Sequence, residues 1–215
     1  MSVDDPIVAG TRAALVRRRE MLAKGAEPLG WKVGFNLPAP QEKLGIDAPL
    51  AGFLTSDTLL ESGSTWSLGD DGQVIVESEV GVEIGPDGRS IVALMPVLEL
   101  ADPPDLDLGV DAILAGNIFH RAVVLGHRGG TDSPGGARIL VNGEENAAVG
   151  AEEAGARLDE MVDAVAARLD AADEELRPGA VIITGVLAPP HTAEPGDTVR
   201  VELEQVGAAE LHFAA

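Results

Sequence analysis

Hydrophobic residues recur along this chain in two rhythms, one at every third or fourth position and one at every second. The first rhythm predicts a helix from about Pro6 to Ala23. Ala13, Leu15, Val16, Met21 and Leu22 make its apolar side and Arg17 to Glu20 its polar side; Gly25 and Pro28 end it. The same spacing in Leu158, Met161, Val162, Val165 and Leu169 predicts an amphipathic helix over about 151–175. Val110 to Leu125 reads as a further helix, capped by Gly126.

The second rhythm is clearest from Val74 to Ile84. Val74, Val76, Ser78, Val80 and Val82 fall on one face of a strand, and Ile75, Glu77, Glu79, Gly81 and Glu83 on the other. Pro86-Asp87-Gly88 signals a turn, and Ile91 to Leu100 is a second apolar segment. Gly30 to Phe35 reads as a buried strand with one lysine inside it, and Val181 to Gly185 as another. Arg138 to Val141 and Ala147 to Val149 flank Asn142-Gly143, a hairpin signal. Val199, Val201 and Leu203 alternate as in a half-exposed strand. Residues 38–62, with Pro38, Pro40, Pro49 and Gly52, read as loop-rich. No repeat or linker divides the 215 residues, a length that suits one domain with its own core.

Composition then removes function classes. The chain has 15 basic against 36 acidic residues, a net charge of −21. That field repels a phosphate backbone and an anionic membrane surface alike, so neither nucleic acid nor membrane is an expected partner. Aromatic residues make up 3%, with no tyrosine, which removes a base-stacking platform and makes the core aliphatic. The absence of cysteine excludes disulfides, thiolate metal sites and cysteine nucleophiles. Met1 to Asp5 carries no signal-peptide pattern and no apolar run is long enough for a bilayer, so a cytoplasmic location is expected. His120, His127, His191 and His212 show no zinc-ligand spacing, and Ser64, Ser67 and Ser133 lack a nucleophile-elbow context. Gly126-His127-Arg128-Gly129-Gly130 lacks a phosphate-loop pattern and reads as a loop.

Glu77 and Glu79 are the most informative pair. Two apart in a strand, they share a face with roughly 7 Å between them along the chain. On a solvent-facing edge they need no explanation; in an apolar strand they repel and lose hydration unless a cation compensates. Mg²⁺ or Mn²⁺, which prefer oxygen ligands, are natural candidates. Glu99 sits inside Met95-Pro96-Val97-Leu98-Glu99-Leu100, where a lone carboxylate wants a partner. Lys32, between Trp31 and Val33, is either a snorkelling surface lysine or a paired, functional one. On the expected helix, Asn117 and Arg121 are four apart and share a face that either lines a pocket or meets solvent.

Taken in order, Gly30-Trp31-Lys32-Val33-Gly34, Val76-Glu77-Ser78-Glu79-Val80 and Leu98-Glu99-Leu100-Ala101-Asp102 resemble the 2-keto-4-pentenoate hydratase family. Asn117, Asn142-Gly143 and Val181-Ile182-Ile183-Thr184-Gly185 extend the likeness over about residues 12–205. That family lies in the fumarylacetoacetate hydrolase superfamily and includes 4-oxalocrotonate decarboxylases. The resemblance implies an α+β fold, with mixed β-sheets rolled around a central site and helices outside. It implies that Glu77, Glu79 and Glu99 bind Mg²⁺ or Mn²⁺, and that a small anionic 2-oxo acid chelates the metal. It further implies that Lys32 contacts substrate and assists proton transfer, with Asn117, Thr184 and Gly185 on the substrate side. A homo-oligomer, or a complex with a related enzyme, is expected.

The chain also departs from the family pattern. Leu50 stands where the family has an Asp that works with the lysine. Gly34-Phe35-Asn36-Leu37 replaces a Gly-Leu-Thr-Ser run, and Asp102-Pro103-Pro104 replaces Asp-Ser-Arg. Gly185-Val186-Leu187 replaces Gly-Ser-Leu, and the region before Lys32 is short. The implied activity is a metal-dependent lyase that hydrates a short 2-hydroxydienoate or 2-oxo-enoate acid. Decarboxylation or acylpyruvate hydrolysis is the alternative within the superfamily. A catalytically degenerate homologue that binds a ligand or partner is the alternative outside it.

Overall fold

The computed structural model describes residues 5–69, 73–130 and 134–215; Ser133 and the first four residues, on which expectations above rest, lie outside them. In chain order the helices are α1 (Pro6–Ala23), α2 (Pro38–Leu44), α3 (Val110–Ala115), α4 (Ala151–Gly155) and α5 (Leu158–Asp170). The strands begin with β1 (Pro28–Gly34), β2 (Leu50–Thr55), β3 (Leu59–Leu60), β4 (Thr65–Ser67), β5 (Ile75–Ile84) and β6 (Ile91–Ala101). They continue with β7 (His120–Leu125), β8 (Ala137–Val141), β9 (Glu144–Val149), β10 (Val181–Val186), β11 (His191–Thr192), β12 (Thr198–Leu203) and β13 (Gly207–Ala214).

The larger sheet runs β2-β1-β10-β5-β6-β7-β3, with β11 paired to β5; the smaller runs β4-β13-β12-β8-β9. β1 and β10 are parallel while β10, β5, β6 and β7 alternate in direction, so the large sheet is mixed. β5 has an apolar face built from Val76, Val80 and Val82; these, with Val74 just before the strand, are all buried and join one hydrophobic cluster with Leu98 and Leu100 of β6 and with Val199, Val201 and Leu211 of the small sheet. The opposite face of β5 carries Glu77 and Glu79, as the alternation requires.

That second face is also an interior. β1 and β6 lie three strand spacings apart in the sheet order, about 14 Å if the sheet were flat. Yet Lys32 of β1 reaches Glu99 of β6. The sheet therefore curls into a half-barrel with this face on the inside. Leu54, Met95, Val97, Val123 and Ile183 fill one end of it and the carboxylates the other.

Several sequence expectations need correction. The 38–62 stretch contains α2 and the fully buried β2. The prolines misled because Pro38 sits at the start of α2, where a missing N–H costs nothing, and β2 is apolar on both faces and shows no alternation. On α1 the buried residues are Val8, Gly10, Thr11, Ala14 and Leu15; Ala13 and Val16 are exposed. The stripe continues through Arg18, whose guanidinium stacks 4.7 Å over the Trp31 ring and so takes a place read as polar. The helix over 151–175 is two helices, broken where Arg157 takes a left-handed φ of 65°.

The largest error is at Val110 to Leu125. The helix stops at Ala115, Asn117, Ile118 and Phe119 all adopt positive φ (61°, 51° and 62°), and His120 to Leu125 is strand β7. Gly116-Asn117 was a legible stop signal. Asn117 and Arg121 therefore do not share a helix face.

Candidate functional site

The antiparallel register of β5 and β6 sets Glu77 directly opposite Glu99, and Glu79 opposite Val97 on the same face. Oxygens of Glu77, Glu79 and Glu99, one from each, lie within 4.8 Å of one another. Glu79 and Glu99 are fully buried, which removes the solvent-edge reading of the Glu-x-Glu pair.

Each carboxylate is held differently. Glu79 Oε2 accepts from the Gly185 N–H at 2.6 Å. Gly185 can present that N–H because its φ is +91°, and an added Cβ would fall 2.4 Å from the Asn36 amide carbon. Glu99 Oε1 accepts from Lys32 Nζ and, at 2.7 Å, from His120 Nδ1. The other side of the His120 ring, Nε2, lies 3.0 Å from Thr58 Oγ1. Glu79 Oε1 and Glu99 Oε2 are buried with no hydrogen-bond partner among the described residues. Leaving such atoms bare costs about 1–3 kcal/mol apiece, more when charged.

Electrostatics follow from the burial. Desolvation first, then the Glu99 charge, pushes the Glu77 carboxyl up to about 7. Desolvation, with the Glu99 and Glu77 charges adding, raises Glu79 well above the ordinary carboxylate range. Burial would raise Glu99 too, but the Lys32 charge and the His120 hydrogen bond outweigh it and hold Glu99 below its ordinary value. A fully ionised trio carries three negative charges against the single charge of Lys32. One divalent cation would bring the sum to zero and give the two bare oxygens a partner. The residues present thus fit an oxygen-seeking cation such as Mg²⁺ or Mn²⁺.

Lys32 is 2% exposed, so it is not a snorkelling surface lysine. Its Nζ also donates to the Ile118 carbonyl at 3.0 Å. The left-handed turn at 117–119 is what aims that carbonyl inward; for a β-branched residue such as Ile118 this backbone costs roughly 1–2 kcal/mol. The neighbouring strand must leave room for the lysine chain. A Cβ on Gly52 would lie 2.8 Å from Lys32 Cγ and 2.7 Å from Asn117 Oδ1.

The remaining expected residues divide. Asn117 spends its side chain on β2, accepting from Phe53 N–H at 2.7 Å and donating to Phe53 C=O at 2.9 Å. It clamps the turn to the sheet. Thr184 Oγ1 donates to the Val80 carbonyl at 2.9 Å. Leu50 is buried with Ile113, Leu114 and Ile118 in a small apolar cluster behind the lysine. His120 is the residue that the sequence reading missed, because a helix there would have pointed it elsewhere.

A cavity of about 250 Å³ opens beside the carboxylates, with Lys32, Glu77 and Gly185 in its wall. A second, of about 380 Å³, adjoins it and includes Thr184.

These features define a class. The solved 4-oxalocrotonate decarboxylase from Pseudomonas putida G7, complexed with calcium and acetate, superposes with a TM-score of 0.79 at 21% identity, over 93% of this chain and 83% of that one. Fumarylpyruvate hydrolase from Pseudomonas aeruginosa, in complex with Mn²⁺ and pyruvate, gives a TM-score of 0.63 at 16% identity, over 86% of this chain and 88% of that one. The fold is the one these two solved proteins share, an α+β half-barrel with flanking helices. No family model matches the sequence. The 2-keto-4-pentenoate hydratase of Paraburkholderia xenovorans (strain LB400) is 25% identical over 232 aligned positions, 99% of this chain and 84% of that protein. A 4-oxalocrotonate decarboxylase of a Pseudomonas species is 26% identical over 223 positions, 94% of this chain and 86% of that protein. The chain is thus similar, at about a quarter identity over nearly its whole length, to proteins named as hydratases and decarboxylases. Among the described residues no helix is long and apolar enough to cross a membrane.

Proposed function

We propose that the protein is a divalent-metal-dependent hydro-lyase that adds water to a short 2-hydroxydienoate or 2-oxo-enoate acid. The observation that carries this reading is the pair of bare buried oxygens, Glu79 Oε1 and Glu99 Oε2, in a trio of carboxylates beside a cavity. Glu77, Glu79 and Glu99 would hold Mg²⁺ or Mn²⁺. Bound there, the metal supplies Lewis acidity toward the carboxylate and 2-oxo oxygens of the acid. The family relatives at about 25% identity support the reaction class.

The chain's own groups then have defined tasks. Lys32 has two of its three N–H groups engaged, by Glu99 and Ile118, and lines the cavity wall, so the third can hold a proton toward the substrate. His120 holds Glu99 Oε1 from behind and fixes the carboxylate's orientation, a positioning role. In the balanced reaction the dienol becomes the conjugated 2-oxo-enoate by a proton shift from oxygen to carbon. One water then adds across the double bond, its oxygen to one carbon and its proton to the next. Gly185 fixes Glu79; Thr184 and Asn117 hold the backbone around the site. The cytoplasmic location, and a homo-oligomer or a complex with a related enzyme, are parts of this proposal.

The test is steady-state hydration of 2-hydroxypenta-2,4-dienoate by the protein loaded with Mg²⁺ or Mn²⁺. Metal-dependent turnover lost in Glu99→Gln is the expected result. One observation favours a second reading: Leu50 lies in an apolar cluster, and the carboxyl that bonds Lys32 is Glu99, a proposed metal ligand, so proton transfer lacks a separate acid–base carboxyl of the kind that contributes ~10²–10⁴-fold in typical catalysis. Metal and 2-oxo acid binding without turnover would favour that reading, a non-catalytic homologue.

A further inference from the structure

The cavity beside the carboxylates has few charged groups in its wall, and Asn36 is its one uncharged polar side chain among the described residues. Among the described residues in its wall, the charged ones are Lys32, Glu77 and Asp102. The charge of Lys32 is balanced by Glu99, and Asp102 accepts from Arg121 at 2.5 Å. The larger side chains of the wall are otherwise apolar, among them Phe35, Leu37, Pro104, Leu106, Phe119 and Val186. Leu37 is 47% exposed, a large apolar side chain left at the rim.

The adjoining cavity continues the same surface. The two share Asn36, Leu37, Gly185, Val186 and Pro190, and the second adds Leu158, Met161 and Leu187. Its one arginine, Arg157, is held by both oxygens of Glu160 at 2.8 Å and by the Asn36 carbonyl at 3.0 Å. A second carboxylate on a ligand would lose its hydration here and meet Glu77 and Asp102 before any unengaged cation. An apolar chain would shed water from both sides.

We propose that this site selects a 2-oxo acid with a single carboxylate and an uncharged, apolar tail that runs past Phe35 and Leu37 toward the second cavity. The inference rests on the proposed chelation of a 2-oxo acid by a metal held at the three glutamates. It names what that reading leaves open, the chemistry of the far end of the substrate.

The experiment is calorimetric binding to the Mn²⁺-loaded protein of pyruvate, 2-oxohexanoate, 2-oxooctanoate and the dicarboxylate 2-oxoadipate. Each buried methylene is worth roughly fourfold in affinity. Affinity should therefore climb by at least about tenfold from pyruvate to 2-oxohexanoate and again to 2-oxooctanoate. 2-Oxoadipate, with the same carbon count as 2-oxohexanoate, should bind at least about tenfold more weakly. Leu106→Arg, at the cavity wall and not itself one of the carboxylate trio, should narrow or invert that last ratio. Equal or tighter binding of 2-oxoadipate by the unaltered protein would overturn the inference. Pyruvate binding with no gain along the series would overturn it while leaving the chelation reading intact. Failure of every 2-oxo acid to bind, with Mn²⁺ bound, would overturn both.

Discussion

The two faces of β5 and β6 come from the same twenty-one residues and live by different rules. On one, Val80, Val82, Leu98 and Leu100 are fully buried against the small sheet and each gains from leaving water. On the other, Glu77, Glu79 and Glu99 are packed together with one lysine and lose by it. The first face holds the fold; the second is tolerated because the first, with the helices, carries the stability. Charges placed where they cost energy mark the place where a ligand is meant to repay it.

Substitutions should separate the faces in sign as well as size. Lys32→Met, which leaves Glu99 buried without its main counter-charge, should cost the metal-free protein about 3–5 kcal/mol in denaturant unfolding. Leu98→Ala, next to Glu99 in sequence but on the apolar face, should cost about 2–5 kcal/mol, with or without metal.

Glu77→Gln should do the opposite. The folded value of about 7 exceeds the ordinary 4.5, so between those pH values the folded chain binds more protons than the unfolded one. Stability from this group is therefore lost as pH rises through that window. At pH 8, without metal, Glu77→Gln should stabilise by about 1–2 kcal/mol, below the full shift because Glu77 is partly exposed. At pH 4 the two proteins should unfold alike. A destabilised Glu77→Gln at pH 8 would mean the carboxylates are not in conflict.

The smallest effect expected is at the edge of the costly face. His120→Gln should change metal-free stability by about 1 kcal/mol or less, since an amide can still donate to Glu99. It should weaken Mn²⁺ binding by about tenfold, as loss of a ligand's outer partner does.

The two faces were not equally legible. The apolar face follows from alternation alone, and so does the pairing of Glu77 with Glu79. Placing Glu99 opposite Glu77 was not readable. The Pro86-Asp87-Gly88 turn fixes the register only to within a residue, and a bulge between Glu83 and Ile84 shifts it. Counted without the bulge from Ile84 and Ile91, Glu77 would face Leu98, and Glu99 would fall on the wrong side of the sheet. His120 was hidden by a different failure. Val110 to Leu125 has enough apolar residues for either period, and although Gly116-Asn117 signals a stop, nothing in Ile118-Phe119 announces that the left-handed backbone continues. Leu50 was seen as a departure, but its packing in an apolar cluster was not. Leu50→Asp is accordingly expected to destabilise by several kcal/mol before it could supply a proton.

The central claim is that the three buried glutamates form one divalent-metal site, and Mn²⁺ binding to unaltered protein and to Glu79→Gln tests it most directly. Titration calorimetry in two buffers of different ionisation enthalpy would read affinity and proton release together. The account predicts one tight Mn²⁺ per chain near pH 7, with protons released because Glu77 and Glu79 hold them in the metal-free state. It also predicts an affinity at least about 100-fold weaker in Glu79→Gln, beyond what outer-shell changes usually produce. Unchanged Mn²⁺ affinity in Glu79→Gln, without proton release in either protein, would contradict it and assign the ions to the acidic surface instead.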